Sequence, residues 1–223
     1  MLFRSFEVFW DDARGVYIDH IDRGVAGRAA AQHPGAAALA AGFVPADRTA
    51  RVVAGITDRS RLIKHAWVMD KVNVVDGGSA YHYMVVGYPE PEWDAETQMV
   101  EAEPFFRYVL HEGLARAGRA DLVADLCRDW SYFIERGETT WPEDWNGGTR
   151  CHGWASTPSH DLIVHTLGIA PAEPGYASVR VAPALGDLEW ARATVPTPHG
   201  PVTVEAHADG RVLVDSPVPV VRP

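Results

Sequence analysis

The chain predicts a mainly α fold with a β tail, and three observations predict it. Two amphipathic stripes meet at a glycine turn. Phe106, Val109, Leu110, Gly113, Leu114 and Ala117 precede Gly118, and Leu122, Val123, Leu126, Cys127, Trp130, Phe133 and Ile134 precede Gly137. Apolar residues recurring at helical spacing on both sides of a tight turn read as an αα-hairpin. After Pro174-Gly175 the apolar period changes to two, in short runs divided by Pro and Gly, which reads as a small antiparallel sheet region. The third observation is size and balance. At 223 residues, 47% hydrophobic and 22% charged, the chain is an ordinary globular sequence of one or two domains, able to bury a sizeable core.

Taken in order, Leu2 to Ala13 places Phe3, Phe6, Phe9 and Trp10 at helical spacing and stops at Asp11-Asp12 and Gly15, so a helix is expected there. Val16-Tyr17-Ile18 reads as a short strand. Ala29 to Gly42 is an alanine-rich helix with Pro34 near its first turn and Gly42 at its end, with Gln32 and His33 as buried or capping polar residues. A second helix runs from Asp47 to Ile56 with Val52, Val53 and Ile56 inward. Between Leu62 and Ala102 the pattern is least regular: Val72, Val74 and Val75 suggest a strand, Asp76-Gly77-Gly78 a turn, and Tyr81 to Val86 a strand or a buried helix. Pro89 to Asp94 is a stiff acidic loop in which Trp93 is either a rim residue or an extension of a ligand cleft. Pro104 opens the hairpin already described, and a last helix near Trp154 to Leu167 turns Leu162, Ile163 and Leu167 inward. The β runs are Ser178 to Val181, Leu188 to Ala191, Val202 to Glu205 and Val212 to Val214, with a turn at Asp209-Gly210.

Lys+Arg 20 against Asp+Glu 30 gives a net charge of −10, which argues against nucleic acid or an anionic membrane surface as partner. No run has the length of a membrane span, and Met1-Leu2-Phe3-Arg4 lacks the basic-then-apolar start of a signal peptide, so a cytoplasmic location is expected. Cys127 and Cys151 make no disulfide framework; Cys127 falls on an apolar helix face and reads as a small core residue. No cofactor is expected, and no metal: His160 and His165, five residues apart on an α-helix, would stand about 140° from one another.

The chemistry concentrates between Glu138 and Gly168, where Trp141, Trp145 and Trp154 accompany Glu143, Asp144, Arg150 and His152. Indoles stack on the C–H faces of sugars while carboxylates and arginine take their hydroxyls, so this composition suits a carbohydrate subsite. A carboxylate among indoles is also partly desolvated, which favours proton exchange near neutral pH. The same residues also suit a satellite core under a long loop, with Arg150 pairing the acids. The run Thr139-Thr140-Trp141-Pro142-Glu143-Asp144-Trp145, followed by Arg150-Cys151-His152-Gly153-Trp154-Ala155-Ser156-Thr157-Pro158, resembles the signature of bacterial α-L-rhamnosidases. Gly153 stands where alanine is common, and Pro142 separates the aromatic from the acid. Phe9-Trp10 through Pro45 is similar to the same family, as are Leu167-Gly168-Ile169, Pro174-Gly175-Tyr176, Gly186 to Ala191 and Pro196 to Pro201, so the resemblance spans nearly the whole chain with its best motifs after Glu103.

That resemblance implies an inverting six-hairpin glycosidase, with residues 1–170 as the C-terminal portion of a helical (α/α)6 barrel and 174–223 as a small, sandwich-like β-domain. It implies Glu143 as general base, and Trp141, Trp145, Arg150, His152 and Trp154 as the lining of a rhamnoside subsite. The family's general acid has no counterpart in the chain, and the helices number about half those of a closed barrel. The resemblance therefore implies a rhamnose-containing glycoside as ligand and an incomplete catalytic domain, whose uncovered apolar faces point to a homo-oligomer or to a chain carrying the other half of the barrel. A non-catalytic carbohydrate-binding or interaction module is the alternative. Asp94 and Glu103 are the carboxyls within the chain that a self-sufficient enzyme would need as its acid.

Overall fold

Asp11 ends the first segment before it becomes a long helix. Its carboxylate accepts from the backbone N–H and the Nε of Arg14, at 3.1 and 2.7 Å, and Gly15 follows at φ 70° with its N–H on the Asp11 carbonyl. This computed structural model describes residues 6–64, 93–145 and 148–222. Within them, Phe6 is helical and leads into a 3-10 turn at Glu7–Phe9, and strand β1 (Trp10–Asp11) pairs antiparallel with β2 (Val16–Tyr17). Beyond Phe9 the helix expected through Ala13 gives way to a hairpin, because side chain–backbone bonding at Asp11 outcompetes helical propagation, and Leu2 to Ser5 lie outside the described residues. The apolar spacing still serves the core, because Phe6 and Trp10 both meet the Tyr17 ring at 5.0 Å. A second hairpin, β3 (Ile21–Asp22) with β4 (Val25–Ala26), turns on Arg23 and Gly24 with positive φ at both, as tight hairpins require.

Helix α1 (Gln32–Ala41) ends on Gly42 at φ 69°, the left-handed stop expected of glycine there. Helix α2 (Ala46–Thr57) buries Val52, Val53 and Ile56 as its stripe predicts. Gln32, fully buried, locks three segments: its Nε2 donates to the Ile56 carbonyl at 2.5 Å and its Oε1 accepts from Ala102 N–H at 2.6 Å. Strand β5 (Leu62–Ile63) pairs parallel with β6 (Met99–Val100). The strand, turn and buried segment expected at Val72–Val75, Asp76–Gly78 and Tyr81–Val86 lie outside the described residues, as do Pro89 to Glu92.

A 3-10 turn at Pro104–Phe106 leads into α3 (Arg107–Arg116), which buries Leu110, Gly113 and Leu114 against α1. Gly113 sets how close the two helices come. A Cβ there would sit 2.7 Å from the Ala36 carbonyl oxygen and 3.1 Å from the Leu39 Cβ. Gly113→Ala is expected to lower stability by about 1–3 kcal/mol through overpacking, read as an earlier urea midpoint; an unchanged midpoint would mean that α1 and α3 separate freely.

The second arm of the hairpin alternates α and 3-10 turns: Ala120–Leu122, α4 (Val123–Cys127), Arg128–Trp130 and α5 (Ser131–Ile134). Val123, Leu126, Trp130 and Phe133 are buried, but Ile134 is 63% exposed, because its turn stops before Gly137 and the stripe ends at Phe133. The last helical run is Gly153–Ser156, α6 (Pro158–Asp161) and a π turn over Leu162–Thr166. Leu167 is buried and Ile163 half-buried, yet Leu162 faces outward, since the wider π turn shifts the stripe by one position.

The β tail is two three-stranded sheets. Strands β7 (Ile169–Pro171), β8 (Val179–Val181) and β12 (Val220–Val221) form one, ordered β12-β8-β7, and β9 (Trp190–Thr197), β10 (Gly200–His207) and β11 (Val212–Asp215) form the other, ordered β11-β10-β9. All pairings are antiparallel except β12 with β8, so the expected antiparallel character holds with one parallel exception. Strand β9 continues through Pro196 rather than stopping before it; on an edge strand the missing N–H leaves no ladder bond unmade. Ile169, Val179, Val181, Val202, Val204 and Ala206 share one apolar cluster with Leu167 of the last helical run. Arg128 bridges to Asp187 at 2.9 Å, and Gly186 passes so near Asp121 that a Cβ would meet its carbonyl oxygen at 2.1 Å. Among the described residues no helix is long and apolar enough to cross a membrane.

Candidate functional site

Helix α5 hands the chain to a loop that closes on itself. Glu138 N–H bonds back to Phe133 O at 3.1 Å, Glu143 N–H to Thr149 O at 2.9 Å, and His152 N–H to Trp141 O at 3.0 Å. Inside that closure the Glu143 carboxylate accepts from Thr149 N–H at 3.2 Å and Thr149 Oγ1 at 3.0 Å. Gly148, at φ 61°, passes close enough that a Cβ would lie 2.9 Å from Glu143 Cβ and 2.6 Å from an Asp144 carboxylate oxygen. The Glu143 carbonyl takes Phe105 N–H at 3.3 Å, so the loop is moored to the turn that starts α3.

His152 lies between two rings. Phe105 stacks on it at 5.8 Å with planes 4° apart, and Trp154 at 6.1 Å and 28°. Trp154 is 66% exposed and Tyr108 45% exposed, their ring centroids 6.3 Å apart. Phe105, His152 and Trp154 therefore form a run of ring contacts that starts at the Phe105 backbone moored to the Glu143 carbonyl and packs the imidazole against two aromatic neighbours. Trp141 is half-buried at its edge, against Phe133 at 6.4 Å.

Two of the expected lining residues lie elsewhere. Trp145 is 2% exposed, stacked on Phe133 at 5.3 Å and edge-on to Trp130 at 5.9 Å, with its indole N–H on the Ala102 carbonyl at 3.0 Å. It is a pillar under the loop rather than an open stacking face. Arg150 is exposed and pairs with Glu138 at 2.7 and 3.0 Å, not with Glu143. Trp145 belongs to a satellite core under the loop, Arg150 pairs with Glu138 rather than with Glu143 or Asp144, and Trp154 stands at the surface with His152 half-buried beside it.

Beneath the loop lies a buried polar layer. Arg107, with no exposed surface, donates to the Glu101 carboxylate and, at 3.1 Å, to the Ala102 carbonyl, forms an ion pair with Asp129 at 3.1 Å, and sets its guanidinium 5.2 Å from the Trp145 ring centroid. Glu103, 2% exposed, accepts from Trp145 N–H at 3.0 Å, and burial pushes its carboxyl up to about 7. Asp94 is spent on its own turn, accepting from Thr97 Oγ1 at 2.7 Å and Glu96 N–H at 3.1 Å. Burial also pushes the Cys127 thiol up to about 12, which leaves it unreactive, whereas Cys151 is exposed. His33, ringed by Phe106 at 4.5 Å, lines an apolar cleft of about 280 Å³ with Phe6, Phe9 and Asp19; burial first, then Arg107, pulls its imidazole down to about 4.

The α-helical argument that separated His160 from His165 fails, because the π turn intervenes. Their rings are 6.3 Å apart, His160 Nδ1 lies 2.8 Å from Asp161 Oδ1, and His165 Nε2 lies 3.9 Å from the same oxygen. Even so, among the described residues no three His, Cys, Asp or Glu side chains are arranged to hold a metal ion. Arg107, His111 and Asp161 were missed by sequence reasoning, although Arg107 and His111 share the apolar stripe of α3 with Leu114, where a charged residue signals a buried partner.

Residues 168–221 match the bacterial alpha-L-rhamnosidase C-terminal domain family. The whole chain superposes on part of a GH78 family rhamnosidase of Bacillus sp. GL1, with TM-score 0.68 and 21% identity, covering 100% of this chain and 22% of that one. An alpha-L-rhamnosidase of Streptomyces avermitilis, solved in complex with L-rhamnose, matches with TM-score 0.50 and 22% identity over 79% of this chain and 16% of its own. The chain thus spans about a fifth of the length of the solved structures it resembles, and the likeness is one of fold. No curated protein matches it.

Proposed function

We propose that this chain, which carries a bacterial α-L-rhamnosidase C-terminal region, is the C-terminal part of a glycoside hydrolase acting on terminal α-L-rhamnosides, divided into a helical-barrel portion over 1–170 and a sandwich-like β-domain over 174–223. The observation that carries the reading is the moored Glu143 beside the ring-clamped His152, on a loop with the order of residues that the family resemblance assigns to base and sugar ligand. The rhamnose in the Streptomyces relative supports the ligand class. In an inverting hydrolysis one carboxylate activates water on one face of the sugar while an acid protonates the leaving oxygen on the other, the two standing roughly 6.5–9.5 Å apart. Glu143 is the base. Trp141 and Trp154 supply faces for the deoxyhexose, His152 takes a ring hydroxyl, Trp145 supports the loop from below and Arg150 holds its outer edge to Glu138. Glu103 is buried on Trp145 N–H and Asp94 is closed on its turn; the reading assigns the acid instead to a polypeptide that completes the barrel. A second reading, sugar binding without turnover, is favoured by the Thr149 bonds that occupy a Glu143 oxygen.

Incubation with an aryl α-L-rhamnoside, with and without the polypeptide bearing the remaining helices, separates the two. Turnover that needs mixing and drops about 10²–10⁴-fold in Glu143→Gln supports the hydrolase. Rhamnose binding with no turnover in either mixture supports the binding module, and full activity in Glu143→Gln removes Glu143 as base.

A further inference from the structure

Between α3 and the Gly153–Thr166 run lies an open cleft of about 300 Å³ whose lining includes Tyr108, Glu112, Trp154, His160, Asp161 and His165. We infer that this cleft is a second sugar subsite, receiving a neutral pyranose joined to the rhamnosyl unit held beside Glu143; the inference rests on the rhamnoside reading above. Three features carry it.

The first is continuity. Phe105, His152 and Trp154 stack in sequence from the backbone of Glu143, and Tyr108 meets Trp154 at a tilt of 43° on the rim of the cleft. Trp154 and Tyr108 offer exposed aromatic surface where a ring leaving the rhamnosyl site would arrive, and large exposed aromatics in a concave setting are characteristic of recognition surfaces.

The second is a rigid polar wall. Asp161 is 1% exposed and accepts from His111 Nδ1 at 2.7 Å and from Thr157 Oγ1, and it meets His160 Nδ1 at 2.8 Å. The π turn carries His165, 8% exposed, back over Asp161, with its Nε2 3.6 Å from Glu112 Oε2. A widened turn that gathers side chains on one wall is the kind of local distortion that accompanies binding sites.

The third is charge. Burial pulls His111 and His165 below the usual imidazole range. Burial also acts to raise Asp161, but the hydrogen bonds from His111, His160 and Thr157 outweigh it and hold the carboxyl below the ordinary range. Asp161 thus stays ionised with His111 fully buried behind it, and the wall sets this carboxylate and the Glu112 side chain beside an uncharged His165, so it accepts hydroxyl donors and repels anions.

The test compares binding of L-rhamnose, an α-L-rhamnosyl-glucose and an α-L-rhamnosyl-glucuronate to this chain by calorimetry. The glucoside is expected to bind about tenfold tighter than rhamnose, and the glucuronate to gain less. Tyr108→Ala and Glu112→Ala, both at exposed positions of α3, should erase the gain and leave rhamnose affinity unchanged, while His152→Ala weakens both sugars. A glucoside that binds no tighter than rhamnose, a gain that survives both α3 changes, or a glucuronate gain equal to that of the glucoside overturns the subsite and leaves the rhamnoside reading standing. Binding of none of the three, by this chain alone or mixed with the polypeptide bearing the remaining helices, removes both.

Discussion

Trp145→Ala is expected to lose about 3–5 kcal/mol of stability, the range for emptying a buried aromatic site. Because a domain of this kind is held by only about 5–15 kcal/mol in all, the variant should unfold at a much lower urea concentration. The cause is local and traceable. Trp145 fills the space between Phe133, Trp130 and Tyr132, at 5.3, 5.9 and 5.9 Å, and its ring faces the Arg107 guanidinium and Lys64 ammonium at 5.2 and 4.8 Å. Alanine would leave a cavity and strip a buried cation of the π face it rests on. Trp141→Ala, at a half-buried position against the same Phe133, is the control and should cost markedly less. Equal losses in the two variants would contradict Trp145 as the pillar of the loop.

Glu103→Gln should change how stability depends on pH. In the folded protein the carboxyl holds its proton up to about 7, against an ordinary value of 4.5, because it is buried and stands near Asp144 and Glu101. Below pH 4.5 both folded and unfolded chains are protonated at this position and the contribution is complete. As pH rises the unfolded chain releases its proton first, so stability falls until the folded carboxyl also ionises near 7. That window is worth about 3 kcal/mol at 1.36 kcal/mol per pH unit. His33 acts in the opposite sense: with its imidazole pulled down to about 4, it adds stability as pH climbs from 4 towards 6.5. The two partly cancel in the native protein, so the informative quantity is the variant minus the wild type. Glutamine can still accept Trp145 N–H, and the difference should grow in favour of Glu103→Gln by about 3 kcal/mol between pH 4.5 and 7. A difference that stays flat across that range would mean that Glu103 is ionised throughout.

Much of the frame was legible because it obeys one-dimensional rules. Gly42, Gly118 and Gly137 stop helical segments with positive φ, Val52, Val53 and Ile56 face inward, and Val202 and Val204 alternate into the sheet core. The misses arise where side chains compete with the backbone or where the period drifts. Asp11 bonding to Arg14 converts an apolar helical pattern into a hairpin, and the π turn carries Leu162 outward and His165 inward. At the site, the sequence marked the loop that closes through Glu143 and Thr149 and the pair His152 and Trp154 whose rings stack. It did not separate Trp145 from Trp154, since two identical indoles of opposite burial differ only through partners such as Phe133 and Ala102, which no local pattern reveals. Nor did it reveal Asp161, whose meaning depends on His111 from another helix.

The turn over Leu162–Thr166 holds one residue more than an α-helical path between the same ends would contain. A single deletion at Val164 would let the segment relax to regular winding and swing His165 by about 100° around the axis, out of reach of Asp161 and Glu112. The cleft is thus encoded in chain length as much as in residue choice: a one-codon loss would dismantle it while leaving every side chain that lines it in the gene.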